Sequence, residues 1–336
     1  MIDQTHLSFL ILVVLIALVF ELSNGFNDAA NAIATVVSTR VMSPLAAVLM
    51  AAFMNFFGAV SGTAVAKTIG KGVVDPESIT LVTVAGGVLA AALWVFAATR
   101  FGMPVSGSHS LIAGVAGAAV AHAGLDVLEY SGIRKIGLGL VFSPLLGFFG
   151  GYVLMLGIYW GFRRTTPALV TSIFSRLQIL TAAAMAFSHG SNDAQKTMGI
   201  ITLALAVFYD WEAAGIPFEV PFWVIVLCAT VMGFGTYLGG RRVIRTLGVR
   251  IVTMRPPHGF AAEASAASVI ELASRTGIPV STTHVITSSI LGMGSTRRLS
   301  AVRWGVAREI VFAWALTFPA VAILGGSLYY LLSIIT

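Results

Sequence analysis

Cysteine is nearly missing from these 336 residues: Cys228 stands alone inside an apolar run. A single thiol excludes an internal disulfide and any multi-cysteine metal site, and leaves packing as its reading. Charge is scarce too, at 10% of residues, where soluble chains carry about 25%. With 57% of residues hydrophobic, that shortage excludes a soluble globular domain and indicates an integral membrane protein. Ten-residue segments of alternating polarity are absent, which argues against a membrane β-barrel. Residues 1–7, ahead of the first apolar run, contain Asp3 and no Lys or Arg. A cleavable leader is therefore not expected, and the first helix is expected to stay in the mature chain.

What is abundant is apolar sequence in long runs. Residues 79–98, 137–162 and 222–238 match the roughly 20 residues that a helix needs to cross hydrocarbon. The formal net charge of +6 comes from arginines near run ends, among them Arg163, Arg164, Arg241, Arg242, Arg297 and Arg298. Such positions suit lipid headgroups and membrane-proximal loops, not nucleic acid. Residues 241–255 are expected on the side opposite Arg163-Arg164 and 297–303, so charge leaves the orientation open.

Two polar stretches stand against this background: Gly25-Phe26-Asn27-Asp28-Ala29-Ala30-Asn31-Ala32 and Gly190-Ser191-Asn192-Asp193-Ala194-Gln195-Lys196. Each places a carboxylate beside carboxamides, where a lone Asp in hydrocarbon costs about 2.5–3.5 kcal/mol on insertion scales. Helix capping alone is the plainer reading, but a cap needs one small polar residue and not a repeated Asn-Asp pair. The apolar pieces flanking the first stretch, 7–22 and 29–38, would extend only about 15 to 24 Å as helix. This predicts a helix break inside the membrane, covered by protein or by a polar cavity.

Further on, Gly102-Met103-Pro104-Val105-Ser106-Gly107-Ser108-His109-Ser110 opens a run of Gly, Ala and Ser reaching Ala121. Its small residues suit a re-entrant hairpin better than a lipid-facing span. After Arg163-Arg164-Thr165-Thr166-Pro167 the pattern starts again. Asp28 matches Asp193 at an offset of 165, while Pro104, His109, Gly117 and Pro144 match Pro279, His284, Gly292 and Pro319 at 175. The change of offset places a net insertion in 209–221. The chain therefore reads as a tandem duplication. Three full crossings, a broken pair and a hairpin in each half give an odd number of crossings, so the second copy points the opposite way. The fold class expected is an all-α polytopic membrane protein. It has two inverted-topology repeats, 1–162 and 163–336, with broken helices and re-entrant helical hairpins.

The two Asn-Asp stretches, with the Pro-Val-Ser-x-x-His pairs beginning at Pro104 and Pro279, resemble the signatures of the inorganic phosphate transporter (PiT) family. The resemblance covers nearly the whole chain in the expected order. It implies secondary active symport of inorganic phosphate, driven by sodium or protons, in a multi-pass protein of the cell membrane. It also implies a homodimer with scaffold and transport parts, elevator-like motion and a cytoplasmic link at 163–167. That link is far shorter than the central loop of animal members, so regulation through it is not expected. Sulfate carriers share the same signatures, which keeps a sulfate permease as the alternative. No cofactor is implied beyond the transported coupling ion.

An oxyanion leaving water needs hydrogen-bond donors, and helix N-termini provide free N–H groups with a favourable dipole. Ser106, Gly107, Ser108 and His109, with Ser281, Thr282, Thr283 and His284, are assigned to phosphate on that ground. Gln195 and Lys196 are further candidates for phosphate. Close helix packing is the competing reading of the small residues, a hydrogen-bonded structural role that of the histidines, and pairing with Asp193 that of Lys196. An ionised carboxylate repels phosphate, so Asn27, Asp28, Asn31, Asn192 and Asp193 are assigned to sodium through their oxygens. If the coupling ion is a proton, Asp28 and Asp193 carry it. Glu21, Glu263 and Glu271 are candidates for supporting a polar cavity. A membrane-embedded hydrolase or phosphotransferase, or a non-transporting anion sensor, is the remote alternative, because the candidate groups occur twice instead of in one asymmetric constellation.

Overall fold

A computed structural model describes residues 4–335. The first three residues of the segment on which the leader expectation rests lie outside that range. Among the described residues, the secondary structure is helical apart from one isolated bridge between Val74 and Leu128. The helices are α1 (Gln4–Ser38), α2 (Pro44–Val60), α3 (Ala64–Gly72), α4 (Leu81–Phe101), α5 (Gly107–Ala123) and α6 (Tyr130–Gly161). They are followed by α7 (Pro167–Phe208), α8 (Phe222–Leu238), α9 (Arg241–Arg245), α10 (Pro256–Arg275), α11 (Thr282–Ser295) and α12 (Trp304–Ile335). A π-helical turn, Thr246–Arg250, extends α9. Five helices are long and apolar enough to cross a membrane, or up to seven spans if α2–α3 and α8–α9 each count as one. Phe53, Phe96, Phe149, Phe312 and Ile323 are exposed on the outside of the bundle, as hydrocarbon contact requires.

The second set of helices follows the order of the first. Long α1 corresponds to α7, and the pair α2–α3, bent by 69°, to α8–α9, bent by 62°. Helices α4 and α5 correspond to α10 and α11, and α6 with Pro144 inside it to α12 with Pro319 inside it. The connection after the first long helix is longer in the second set, 209–221 against 39–43. Packing between the two sets is reciprocal: α1 lies on α8 and α7 on α2, while α5 lies on α12 and α11 on α6.

Three local expectations are corrected. The Asn-Asp stretches do not break their helices, because α1 and α7 run unbroken through them. Polar residues at 24, 27, 28 and 31 fall on one helix face, which can be buried against protein with every backbone bond intact. The adjoining glycines serve close packing: a Cβ on Gly25 would sit 2.9 Å from the Met232 carbonyl oxygen, and one on Gly190 2.1 Å from that of Asn55. The breaks lie instead between α2 and α3 and between α8 and α9. Second, the hairpin is not the run 102–121 alone. Helices α4 and α5 are its two arms, with a tip at 102–106, and α10 and α11 form the second around 276–281. Third, Arg255 is not opposite the other arginines; it lines one cavity with Arg163 and Arg297, because α9 turns the chain across the bundle.

Candidate functional site

The site is built from four pieces of chain, two from each half. Ser106 has extended backbone (φ −89°, ψ 114°), and its hydroxyl accepts from the His109 N–H 3.1 Å away, capping α5. Ser281 repeats this (φ −88°, ψ 102°), accepting from the His284 N–H at 3.3 Å to cap α11. The preceding prolines cannot donate and favour extended backbone just before them, so each tip turns sharply into its second arm. The caps satisfy one orphan donor at each tip and leave other first-turn N–H groups without partners inside the helix.

The two tips meet. Ser108 Oγ donates to the Val280 carbonyl at 2.9 Å, and the rings of His109 and His284 pack edge to face. His284 also stacks on Trp314 with ring centroids 3.7 Å apart. Gly107 is required there, since a Cβ would fall 1.9 Å from Asn24 Oδ1. The close approach at this glycine is made to the chain's own α1.

Both tips sit against the polar faces of α1 and α7. Thr283 Oγ1 donates to Asp28 Oδ1 at 2.9 Å, and Asn31 Nδ2 to Thr283 Oγ1 at 3.0 Å and Thr282 Oγ1 at 3.4 Å. Asp193 Oδ2 accepts from Asn24 Nδ2 at 3.2 Å and Thr282 Oγ1 at 3.3 Å. Lys196 Nζ donates to Asp193 Oδ1 at 2.7 Å, to the Val280 carbonyl at 2.9 Å and to Ser108 Oγ. Lys196 therefore pairs with Asp193 and reaches the hairpin tips at the same time. Asp28, Asp193 and Lys196 are each 1% exposed, so these charges stand only because partners replace their water.

One assigned residue points away from the tips. Gln195 Oε1 accepts from the N–H groups of Val65 (2.7 Å) and Ala66 (3.3 Å), and its Nε2 donates to the Ser191 carbonyl at 2.6 Å. It caps the start of α3 and lines a cavity of about 330 Å³ together with Ser61, Gly62, Glu271 and Arg275. Asn27 donates to Thr99 Oγ1 at 2.6 Å, and Asn192 to Ser274 Oγ at 3.0 Å, so each tethers a first hairpin arm to its long helix.

The three glutamates separate. Glu263 accepts from Thr181 at 2.6 Å, from Gln178 at 3.3 Å and from Thr35, joining α10 to α7 and α1. Glu271, two turns on, accepts from Ser191 at 3.2 Å and from Arg275 at 2.9 Å. Glu21 is buried and accepts from Thr197.

One residue escaped the sequence reading. His189 Nε2 lies 3.7 Å from Asp28 Oδ2 and 3.7 Å from Asp193 Oδ2, and ligand atoms of the three residues lie within 4.8 Å of one another. Its Nδ1 is 2.9 Å from Asn55 Oδ1, which can only accept, so Nδ1 carries the proton of that bond. The ring thus turns its other nitrogen between the two carboxylates. The available signal was the offset of 165, which pairs His189 with Asn24, and its place one helical turn before Asp193.

A buried meeting point of two helix tips, two carboxylates and an ammonium, assembled from equivalent parts of two halves, suits an anion and its counter-cations passing through a membrane. Comparison with known proteins agrees. The family model described as "Phosphate transporter family" matches residues 24–325. A "Probable low-affinity inorganic phosphate transporter" of Bacillus subtilis (strain 168) is 43% identical over 327 residues, covering 97% of both chains. A protein of the same description from Rhizobium meliloti (strain 1021) is 43% identical, covering 94% of both chains. Among solved structures, "The sodium-dependent phosphate transporter" superposes with a TM-score of 0.87 at 27% identity, covering 98% of this chain and 100% of that one. These relatives are carriers and not enzymes, and this chain belongs to the phosphate transporter family.

Proposed function

We propose that this chain is a secondary active symporter that carries inorganic phosphate across the plasma membrane, driven by a sodium or proton gradient. The observation that carries the reading is the meeting of the two hairpin tips beside the carboxylates: Thr283 and Thr282 of the second tip bond Asp28 and Asp193, and Ser108 of the first reaches Asp193 through Lys196. Phosphate is held by the first-turn N–H groups and hydroxyls of Ser106, Gly107, Ser108 and His109 and of Ser281, Thr282, Thr283 and His284. The coupling cation is held by oxygens of the Asn-Asp motifs, namely those of Asn27, Asp28, Asn31, Asn192 and Asp193; if it is a proton, Asp28 and Asp193 carry it. Phosphate is the substrate named for the relatives.

Coupling follows from the hydroxyls between the two sites. Thr283 spends its one proton on Asp28, and a hydroxyl has one proton and two lone pairs. When a cation neutralises Asp28, Thr283 can turn its oxygen to the cation and its proton to the anion. Without the cation that donor stays occupied, and the Asp28 charge repels phosphate.

The duplicated element order and reciprocal packing support two inverted repeats, 1–162 and 163–336, exchanging inward- and outward-facing states. If α1, the bent pair α2–α3 and α6 each cross once and the hairpin returns to its own side, the first half crosses an odd number of times. Elevator-like motion within a homodimer completes the reading. Uptake of radiolabelled phosphate into proteoliposomes tests it, with sulfate as the competing anion and sodium set against a proton gradient. Sulfate uptake exceeding phosphate uptake, or no gradient-driven uptake of either anion, overturns it.

A further inference from the structure

The two Asn-Asp motifs are equivalent in sequence and unequal in chemistry. At an offset of 165, Asn24, Asn27, Asp28 and Asn31 on α1 correspond to His189, Asn192, Asp193 and Lys196 on α7. The first motif carries a negative charge and no positive one, and the second carries both. Where α1 presents the carboxamide of Asn31, α7 presents an ammonium.

The bonding follows that difference. On α1, among the described residues, Asn24 Oδ1, Asn27 Oδ1, Asp28 Oδ2 and Asn31 Oδ1 are buried without a hydrogen-bond donor. Each residue is 1% exposed. Four unmatched oxygens on one helix face in a dry interior are costly unless a cation or water shares them. On α7 the corresponding oxygens are taken. Asn192 Oδ1 accepts from the Val280 N–H at 3.4 Å, and both oxygens of Asp193 accept, one of them from Lys196 Nζ at 2.7 Å. The ammonium also donates to the Val280 carbonyl and to Ser108 Oγ, so it bridges the carboxylate to both hairpin tips.

We infer that Lys196 is the resident cation of the second half-site, a covalently held ammonium in the place of a second transported ion. This chain then takes at most one mobile coupling cation per phosphate, at the oxygens of α1, which narrows the cation site proposed above to Asn27, Asp28 and Asn31. The inference rests on the symport reading above. Asp28 requires a visiting charge before an anion can approach, whereas Asp193 is neutralised throughout the cycle by a side chain that cannot leave. The ammonium also presents a fixed positive charge to the anion at the tip of α5, so part of the phosphate affinity does not depend on the gradient.

The test is a count of bound sodium. Radiolabelled sodium is titrated onto purified protein in nanodiscs with saturating inorganic phosphate, for wild type, K196N and K196M. K196N restores at position 196 the residue found at 31; K196M keeps the length without charge or oxygen. Wild type is expected to bind no more than one sodium per chain, K196N one more than wild type, and K196M no more than wild type. Two sodium ions per wild-type chain overturn the inference, even if neither variant folds. Equal counts for wild type and a K196N protein that keeps its wild-type elution profile also overturn it. Phosphate uptake into proteoliposomes is measured separately. Loss of wild-type uptake with the expected sodium counts would count against the symport reading and leave the assignment of Lys196 standing.

Discussion

His109 and His284, 175 positions apart in the chain, meet edge to face with ring centroids 4.5 Å apart. Equivalent residues of two copies can touch only where the axis relating the copies passes between them. Under the proposed inverted repeats, the contact puts that axis at the hairpin tips. On that proposal a ligand placed there would be equally close to both halves, which is the property a swap of their conformations needs to move it from one side to the other.

Neutralising either carboxylate should stop coupling, D28N by removing the charge that calls the cation and D193N by leaving the buried Lys196 ammonium without its partner. D28N and D193N are each expected to insert normally and to lose cation-driven phosphate uptake by more than tenfold in proteoliposomes. Wild-type rates in both variants would falsify the assignment of these residues to coupling.

At Gly107 the constraint is steric. G107A would put a methyl group 1.9 Å from Asn24 Oδ1, while a Cβ at Gly137 meets nothing within 4 Å. Forcing a methyl into the packed tip is expected to cost about 1–3 kcal/mol. Replacing Gly137 within helix α6 should instead be neutral or stabilising by roughly 0.5–1 kcal/mol. Thermal unfolding in detergent separates them, and equal shifts would mean that α5 does not seat on α1 as described.

The hydroxyls of Ser106 and Ser281 cap their helices, so alanine there removes a cap as well as a phosphate donor. Alanine at an N-cap costs about 1 kcal/mol and glycine only a few tenths. S106G and S281G should therefore retain near-wild-type thermal stability while the half-saturating phosphate concentration rises several-fold. An unchanged half-saturation in the glycine variants would leave those hydroxyls with capping alone.

His258, in the first turn of α10 and outside the membrane-spanning helices, supplies a pH test. Its Nδ1 accepts from the Arg255 N–H at 3.0 Å, and its Nε2 lies 3.1 Å from the Tyr159 hydroxyl. Burial, with Arg255 and Arg297 nearby, lowers its pKa from 6.5 to about 4. A folded-state value below the unfolded one means that the unfolded chain takes up the proton first as pH falls. Stability from this group is thus full above about pH 6.5 and declines toward pH 4. H258Q should flatten the fall in melting temperature across that window. An unaltered pH profile in H258Q would assign the acid sensitivity elsewhere.

Much of the site could be read before folding, because the sequence states chemistry twice. Asp28 with Asp193, and Ser106 with Ser281, are legible as pairs through their fixed offsets, and a proline two residues before serine marks where each hairpin turns. Continuity of α1 and α7 was not legible. Asn, Gly and Asp in an apolar run look the same whether they interrupt a helix or form one polar face of it. What distinguishes the two cases is whether other chain covers that face, as the α11 tip does at Asp28 and Asp193.

The amino-acid sequence alone determined the solvent of this protein, its duplication and the inventory of its polar groups, since each follows from composition and spacing. Tertiary structure alone decided which groups share a charge. It set His189 between the carboxylates, turned Gln195 away to cap α3 and joined Lys196 to both hairpin tips. Those choices depend on distances of a few ångströms between groups mostly far apart in the chain, and Coulomb and hydrogen-bond energies in a dry interior are steep functions of such distances.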